Sequence, residues 1–270
     1  MTKPSFQPTP WQTLPQVCLP ATPEDRSPRV DLWLFFHEAT DHSAPFAAYF
    51  PLLTDEERAR HDRFMFDRDR RIFLATRALV RCVLAEYTGM DPRDFRFASH
   101  RFGKPFVDAP RLSPALSFNL SNTHNLVVCA VTLGDEMIGV DVESLDRASD
   151  PLSLADHVFA PAEIAALRSL PVEDQQERFF SYWTLKESYI KARGLGLQLP
   201  LSQFAFTLGA APAPTIAFDP RLADDAAAWS FALLSAFPTH LLAVAKKQRP
   251  PLALHACRYV PLKGMIPPVK

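Results

Sequence analysis

The stretch Met137-Ile138-Gly139-Val140-Asp141-Val142-Glu143 decides how this chain builds its most informative site. Apolar and other side chains alternate along it, and this pattern predicts a β-strand because side chains on a strand repeat every two residues. Asp141 and Glu143 therefore share one face, and the apolar side chains of the run pack on the other. An Asp-x-Glu pair also occurs where a strand simply leaves a core, so this segment alone leaves a purely structural role open.

A second segment, Trp183-Thr184-Leu185-Lys186-Glu187-Ser188-Tyr189-Ile190-Lys191, follows some forty residues later and reads as a helix. Residues four apart stack on one side of a helix, so Trp183, Glu187 and Lys191 form a stripe. Glu187 and Lys191 alone could form an ordinary surface pair worth roughly 0.2–0.5 kcal/mol. Hard cations such as Mg²⁺ take carboxylate, water and phosphate oxygens as ligands. The two segments together predict a site for a divalent metal and a phosphorylated substrate.

Four stretches of the chain together resemble a known enzyme family. They are Phe102-Gly103-Lys104-Pro105, Phe118-Asn119-Leu120-Ser121, Ile138–Glu143, and Trp183–Lys191 running into Gly194-Leu195-Gly196-Leu197. These stretches resemble the Gly-Lys-Pro, Asn-x-Ser, Gly-x-Asp-x-Glu and Trp-x-x-Lys-Glu-x-x-x-Lys elements of the 4′-phosphopantetheinyl transferases. The resemblance is to the larger, monomeric type that activates carrier proteins, and it runs from about Val30 to about Ala245. The last two motifs are specific, whereas Gly-Lys-Pro alone would be weak.

The order of predicted elements indicates a mixed α/β fold. Alternating and helical patterns predict strands near 30–36, 94–98, 105–107, 115–121, 125–133, 137–143, 203–207, 214–218, 228–235 and 239–246, and helices near 43–52, 54–66, 67–88, 152–158, 161–169 and 174–193. We expect a proline-rich arm over 1–29, α/β subdomains over 30–136 and 137–249, and a proline-rich tail over 250–270. The resemblance implies that the two subdomains are similar, related by a pseudo-twofold, with the active site in the cleft between them.

The resemblance also implies an activity and roles for the acids and the lysine. The chain would move phosphopantetheine from coenzyme A to a serine of an apo acyl or peptidyl carrier protein, releasing 3′,5′-ADP. Asp141, Glu143 and Glu187 would hold Mg²⁺, and Asp141 thereby takes part in catalysis. Glu187 would accept the serine proton, and Lys191 would stabilise or protonate the leaving phosphate. Carriers of fatty-acid, polyketide and nonribosomal peptide synthesis all fit this role.

Basic residues supply the expected phosphate contacts. Eight arginines lie between positions 58 and 81, interleaved with aspartates, and a solvated helix face would explain most of them. By resemblance, Arg60 and Arg70 or Arg71 fall where the family contacts the phosphates of coenzyme A, because the arginine fork matches phosphate bidentately. An earlier basic position of some family members is Glu57 here, so that contact is expected to be missing.

Lys104, Ser121 and Asn122 complete the expected coenzyme A contacts. Lys104 lies in a rigid turn between a glycine and a proline, and the alternative is a hairpin lysine that points at water. Ser121 ends an apolar strand, where a serine also serves simply to stabilise a turn. Asn122 stands where the family usually has histidine, which weakens the contact because an amide carries no charge. His124 either replaces that histidine or is a bystander.

Composition narrows the class of protein. The net charge of −1 disfavours a protein that mainly binds nucleic acid through its arginine-rich helix. The four cysteines, at 18, 82, 129 and 257, form no Cys-x-x-Cys pair and predict reduced thiols. No apolar run reaches membrane-spanning length and no signal peptide is apparent, so we expect a soluble, cytoplasmic protein, and the resemblance implies a monomer. A catalytically inactive relative that binds coenzyme A or a carrier as a regulator would share these features, although the intact acids count against it.

Overall fold

The structure is a computed structural model that describes residues 7–16, 29–38, 46–113, 115–146, 151–209, 213–236 and 239–266. Its elements, in chain order, are β1 (Thr9–Pro10), β2 (Arg29–Phe36), α1 (Asp55–Asp62), α2 (Asp67–Thr88), β3 (Arg96–Ser99), β4 (Pro105–Ala109), β5 (Leu116–Thr123), β6 (Leu126–Leu133), β7 (Ile138–Ser144), α3 (Pro151–Val158), α4 (Pro161–Arg168), α5 (Val172–Arg193), β8 (Phe204–Thr207), β9 (Thr215–Phe218), β10 (Ser230–Ala236), β11 (His240–Lys246), β12 (Ala253–Val260) and β13 (Gly264–Ile266). Short 3-10 turns lie at Trp11–Thr13, Phe46–Leu52, Gly196–Gln198, Leu201–Gln203, Pro220–Leu222 and Ala226–Ala228. This alternation confirms the mixed α/β prediction.

The chain divides into two compact units that exchange their terminal segments. One unit contains residues 14–136 and 253–270, and the other contains residues 1–13 and 137–252. The chain passes from one unit to the other between Glu136 and Met137 and again between Leu252 and Ala253. We refer to them below as the N-terminal and the C-terminal unit.

The N-terminal unit is a five-stranded sheet covered by α2. The strand order is β13-β12-β2-β6-β5, and β12 runs parallel to β2 while the other neighbours are antiparallel. A separate hairpin of β3 and β4 carries the Gly-Lys-Pro element at its turn. Helix α2 forms because apolar residues recur every three or four positions, and its buried face joins the core with Leu74, Ala78 and Leu79. The helix ends at Gly89, whose φ of +68° suits a left-handed C-terminal cap.

The C-terminal unit is a four-stranded sheet packed against the long helix α5. The strand order is β1-β10-β11-β7, with β10, β11 and β7 antiparallel and β1 parallel to β10. Aromatic side chains from α5 and from the β8–β9 hairpin fill the core beside α5, including Phe179, Tyr189, Phe204 and Phe231. Burial of this apolar surface is the main force that holds α5 on the sheet.

Gly139 sets the distance between β7 and α5. A Cβ built at this position would lie 2.0 Å from the carbonyl oxygen of Ser188 and 2.4 Å from the amide nitrogen of Ala192. Real Cβ atoms essentially never approach this closely, so only glycine lets the strand and the helix backbone touch here. The close contact lies two residues before Asp141 on the same face of β7.

Three predictions about the ends and loops need correction or lie outside the described residues. The proline-rich tail is wrong for Ala253–Ile266, because β12 and β13 are strands of the N-terminal sheet and Cys257 and Tyr259 join its core. The helix predicted over 43–52 is a 3-10 turn over Phe46–Leu52 that contains a proline, and residues 43–45 are not described. Of the arm, β1 and the buried Trp11 pack in the C-terminal unit, and residues 1–6 and 17–28 are not described.

The described cysteines are buried in the protein. Cys82, Cys129 and Cys257 are unpaired with one another and buried, as expected for reduced thiols, while Cys18 lies outside the described residues. Burial raises the pKa of the Cys82 thiol to about 11, which keeps it protonated and inert. Within the described ranges, no helix combines the length and the apolarity needed to cross a bilayer.

Candidate active site

The acids of β7 face the stripe predicted on α5. Gly139, Asp141 and Glu143 share one face of the strand, and this face lies against α5, which runs antiparallel to it. Gly139 touches the backbone at Ser188 and Ala192, Asp141 contacts Lys191, and Glu143 contacts Trp183. The period of two on the strand and the spacing of four on the helix therefore bring the predicted C-terminal site residues together.

Lys191 pairs with Asp141. Its Nζ donates a hydrogen bond to Oδ1 of Asp141 at 2.7 Å, and the lysine side chain is 28% exposed while that of the aspartate is 7% exposed. A charged hydrogen bond in such a shielded position is stronger than a surface pair. The alternative of a surface pair between Glu187 and Lys191 alone is therefore not what forms, since Lys191 reaches across to the strand.

Glu187 lies in an electrostatically unfavourable position for its charge. Burial raises the pKa of its carboxyl, the nearby charge of Asp141 raises it further, Lys191 lowers it, and Glu143 raises it. Asp141 and Glu143 therefore both lie close enough to Glu187 to act on its charge. A half-buried carboxyl whose pKa is raised in this way is a stronger base than an exposed glutamate, which suits it to accept a proton.

Trp183 has a role that the sequence did not reveal. The indole stacks on Phe179, with ring centroids 6.1 Å apart, as a packing residue would. Its Nε1 also donates a hydrogen bond to Oε1 of Glu143 at 3.1 Å. The spacing of Trp183 four residues before Glu187, on the stripe that faces β7, was the signal that could have predicted this contact.

Magnesium binding by Asp141, Glu143 and Glu187 stays a prediction. Across the described residues, no group of three or more His, Cys, Asp or Glu side chains has the arrangement of a metal site. Lys191 and Trp183 instead donate to two of the acids. The donor set nevertheless fits a hard cation, because three carboxylates supply oxygen ligands, and after burial the repulsion from Asp141 and Glu143 raises the pKa of Glu187. Mg²⁺ would relieve that repulsion.

The predicted arginines of the N-terminal unit lie in different surroundings. Arg60 is exposed, with its guanidinium 5.4 Å from the centre of the Phe73 ring. Arg70 pairs with Asp67 in the first turn of α2. Arg71 is exposed and lies over the ring of Phe46, and after burial its positive charge adds to the lowering of the pKa of His37. Arg71 therefore lies close enough to His37 for its charge to act on that ring.

Glu57 explains why a basic residue is absent from its position. Its side chain completes a capping box with Thr54 at the start of α1. It also pairs with Arg81 at 2.6 Å and with Arg77 at 3.4 Å. Arg81 is fully buried and donates to the carbonyl of Phe95, so Glu57 holds α1 against α2. The sequence identified the missing contact but not this structural role.

Lys104, Ser121 and Asn122 lie in or beside turns of the N-terminal unit. Lys104 follows the turn in which the amide of Gly103 donates to the carbonyl of His100, and burial lowers the pKa of its ammonium to about 8. Ser121 is buried near the end of β5 and Asn122 beside it is exposed. His124 lies at the β5–β6 turn, 3.9 Å from a carboxylate oxygen of Glu38. The coenzyme A contacts assigned to these residues stay predictions.

Two family models match the chain, one in each unit. The model described as "4'-phosphopantetheinyl transferase superfamily" matches residues 137–245, and the model described as "4'-phosphopantetheinyl transferase, N-terminal" matches residues 40–133. The first match contains β7 and α5, and hence all four of the residues predicted to bind metal or act in catalysis.

Curated relatives carry the same description. The chain is 41% identical to 4′-phosphopantetheinyl transferase HetI of Nostoc sp. (strain PCC 7120) over 66% of its own length and 71% of the relative's. It is 32% identical to 4′-phosphopantetheinyl transferase Sfp of Bacillus subtilis (strain 168), over 59% and 68% of the two chains, and 32% identical to 4′-phosphopantetheinyl transferase psf-1 of Bacillus pumilus, over 76% and 83%.

Solved structures give a weaker likeness. Helicobacter pylori holo-[acyl-carrier-protein] synthase in complex with coenzyme A is 20% identical and covers 40% of this chain and 96% of its own, with a TM-score of 0.33, which is too low to carry an argument. The relatives and the family models suffice. The chain belongs to the 4′-phosphopantetheinyl transferase superfamily.

Proposed function

We propose that the chain transfers 4′-phosphopantetheine from coenzyme A to a serine of an apo carrier protein and releases 3′,5′-ADP. The observation that carries this proposal is the cluster in the C-terminal unit. Lys191 donates to Asp141, and Glu187 beside them has a pKa raised by burial and by the carboxylates of Asp141 and Glu143. These residues belong to the two motifs that are specific to the family.

Each charged group of the cluster has a task in the proposed reaction. The serine oxygen of the carrier attacks the β-phosphorus of coenzyme A, and the bond to the oxygen of the 3′,5′-ADP phosphate breaks. Glu187 accepts the serine proton, for which its raised pKa suits it. Lys191 stabilises or protonates the phosphate that leaves. Asp141 holds the Lys191 ammonium in place before substrate arrives.

Asp141, Glu143 and Glu187 would together hold Mg²⁺, which supplies neutralisation of the pyrophosphate charge. The chain's own part is to keep these acids together on two rigid elements. Trp183 contributes by donating to Glu143, which holds that side chain toward α5. Such fixed ligands favour rapid chemistry because little reorganisation is needed when substrate binds.

We assign the phosphate contacts of coenzyme A to residues of the N-terminal unit. Arg60, Arg70 or Arg71, with Lys104, Ser121 and Asn122, supply cations and hydrogen-bond donors suited to phosphate. Arg70 is the weaker of the arginine candidates, because Asp67 already neutralises it. The proposal includes a cytoplasmic, monomeric enzyme that serves an acyl or peptidyl carrier protein.

Intact-mass spectrometry of apo carrier proteins tests the proposal. A panel of apo acyl and peptidyl carriers is incubated with the protein, coenzyme A and Mg²⁺, with and without chelator. We expect one carrier or more to gain the mass of one phosphopantetheine, and chelator to suppress the gain. Binding of coenzyme A without any gain would favour an inactive, regulatory relative. If the protein does not bind coenzyme A and no carrier gains mass, the proposed function is contradicted.

A further inference from the structure

Helix α5 carries the reactive stripe on one side and a polar network on the other. Successive residues of a helix lie about 100° apart. Glu187 and Lys191 face β7, whereas Lys186, Tyr189 and Arg193 each lie about 100° or more around the helix from Glu187. Lys186 and Tyr189 are completely buried. The polar groups on this second side contact two acids, Glu163 and Asp224, that belong to none of the motifs discussed above.

Glu163 anchors α5 through Lys186. The Nζ of Lys186 lies 2.8 Å from Oε2 of Glu163 and donates to the carbonyls of Leu201 at 2.8 Å and Phe204 at 2.5 Å. An ammonium has three hydrogens, so these contacts use its full capacity. Both side chains are fully buried. Lys186 can therefore occupy only one place without leaving a buried charge unsatisfied.

The carboxylate of Glu163 is held as firmly as the lysine. Its Oε2 accepts from the amide of Ala160 at 3.0 Å and its Oε1 accepts from the amide of Phe206 at 2.8 Å. The first contact caps helix α4 and the second lies on strand β8. One carboxylate thus connects α4, β8 and α5 through hydrogen bonds that have both a required distance and a required direction.

Asp224 anchors the last turn of α5. Its Oδ2 accepts a hydrogen bond from the hydroxyl of Tyr189 at 2.6 Å and pairs with the guanidinium of Arg193. Its Oδ1 accepts from Nε1 of Trp229 at 3.1 Å and from the amide of Asp225 at 2.9 Å. Tyr189 and Arg193 lie two residues before and after Lys191. The loop that contains Asp224 therefore fixes the turn that presents Lys191.

Directional anchors matter here because the face of α5 that contacts β7 tolerates little displacement of the helix. Apolar burial is non-directional, so a helix held by it alone can slide or turn by fractions of an ångström at small cost. The contact of Lys191 with Asp141 is 2.7 Å and that of Trp183 with Glu143 is 3.1 Å. Both contacts depend on the rotation and axial position of α5 relative to β7.

We infer that Glu163 and Asp224 are positioning residues for the transferase reaction: by holding Lys186 and the last turn of α5, they fix the rotation of the helix that aims Glu187 and Lys191 at β7. The inference rests on the proposed function only in its kinetic test. Its structural test needs no turnover, because the indole of Trp183 reports the contact between α5 and Glu143.

The experiment compares three changes in the full chain by two readouts. The ¹H–¹⁵N resonance of the Trp183 indole reports the position of α5, and kcat and KM for coenzyme A report its consequence. Glu163→Gln removes the ion pair, and Asp224→Asn weakens the second anchor. Asp219→Asn is the matched control. Asp219 also pairs with an arginine, Arg221, through a bidentate contact, but at the surface of the same unit.

We expect Glu163→Gln and Asp224→Asn to shift the Trp183 resonance and to lower kcat by between about tenfold and 100-fold, the range associated with misplacement by up to an ångström. KM for coenzyme A should change by less than about threefold, because neither acid contacts substrate. Asp219→Asn should change neither readout. An unmoved Trp183 resonance in both Glu163→Gln and Asp224→Asn would overturn the inference.

A double variant separates positioning from stability. Glu163→Leu with Lys186→Met replaces the ion pair by apolar residues of similar size, so neither variant side chain leaves a buried charge. It also leaves the amides of Ala160 and Phe206 and the carbonyls of Leu201 and Phe204 without their side-chain partners, so we expect a lower unfolding temperature, and transfer is measured where calorimetry shows the variant to be folded. If the directional anchor matters, the folded variant has a shifted Trp183 resonance and a kcat at least about tenfold lower. A double variant with the wild-type resonance and kcat would show that packing alone positions α5. Wild-type protein that transfers nothing would refute the proposed function, while the resonance would still decide the positioning role.

Discussion

Replacement of Gly139 by alanine tests the geometry on which the site depends. The added Cβ would lie 2.0 Å from the carbonyl oxygen of Ser188, whereas ordinary van der Waals contact begins near 3.4 Å. Strand and helix must therefore separate by 3.4 − 2.0 = 1.4 Å at this point. The obstructing atoms belong to the α5 backbone, so no side-chain rotation can relieve the clash.

The size of the effect follows from this displacement. The same separation carried to Asp141 would lengthen its 2.7 Å contact with Lys191 to about 4.1 Å, which is beyond hydrogen-bonding distance. Overpacking of a core costs about 1–3 kcal/mol, and each kcal/mol lowers the unfolding temperature of a chain of this size by about 2–4 °C. Misplacement of reacting groups by about an ångström costs about 100-fold in rate.

Calorimetry and single-turnover transfer measure the two consequences of Gly139→Ala separately. We expect kcat to fall by about 100-fold at temperatures at which the variant is still folded, with a smaller change in coenzyme A affinity. Gly209→Ala is the matched control, because its Cβ would meet nothing within 4 Å. A Gly139→Ala variant with wild-type turnover and unfolding temperature would refute the close contact between β7 and α5.

Three further predictions concern charged residues. Glu187→Gln should abolish transfer yet raise the unfolding temperature in chelator at neutral pH. The pKa of Glu187 is raised by burial and then by neighbouring carboxylates, so the charged glutamate loses stability as pH rises through its folded-state pKa, and neutral glutamine does not. A lower unfolding temperature by calorimetry would contradict this. Lys191→Ala should lower kcat more than coenzyme A affinity, and the reverse pattern in steady-state kinetics would make it a binding residue. Burial lowers the pKa of Lys104 to about 8, so coenzyme A affinity measured by calorimetric titration should weaken as pH rises through that value, and Lys104→Arg should remove the dependence.

Local patterns predicted most elements of the fold. Helix α2 has the predicted bounds of 67–88 because its apolar spacing and its terminal glycine are both local signals. Strand β12 was missed because its partner β2 lies more than two hundred residues earlier, and parallel pairing leaves no turn signal between the two strands. The surrounding prolines favoured a tail, although they only flank the strand. Pro51 has no amide hydrogen to donate within an α-helix, and the segment Phe46–Leu52 that contains it forms a 3-10 turn and not the helix predicted over 43–52.

For the candidate site, too, local patterns predicted some residues and missed others. Strand and helix periodicity placed Asp141, Glu143, Glu187 and Lys191 on facing surfaces, and the structure brings them together. The Glu163 anchor is not visible in sequence, since an isolated glutamate resembles any surface acid until its buried lysine partner is known. Periodicity gives the face of an element that a side chain occupies, but the identity of its partner depends on tertiary packing.

The measurement that tests the central claim most directly is quantitative intact-mass analysis of one apo carrier protein with coenzyme A and saturating Mg²⁺, run in parallel with wild-type protein, Asp141→Asn and Glu187→Gln. The account predicts that wild-type protein adds one phosphopantetheine per carrier and releases an equal amount of 3′,5′-ADP. Both folded variants should transfer at less than about 1% of that rate, as expected when a group that acts in the transition state is lost. Near-normal transfer by either variant would contradict the assignment of the reaction to the acids of β7 and α5.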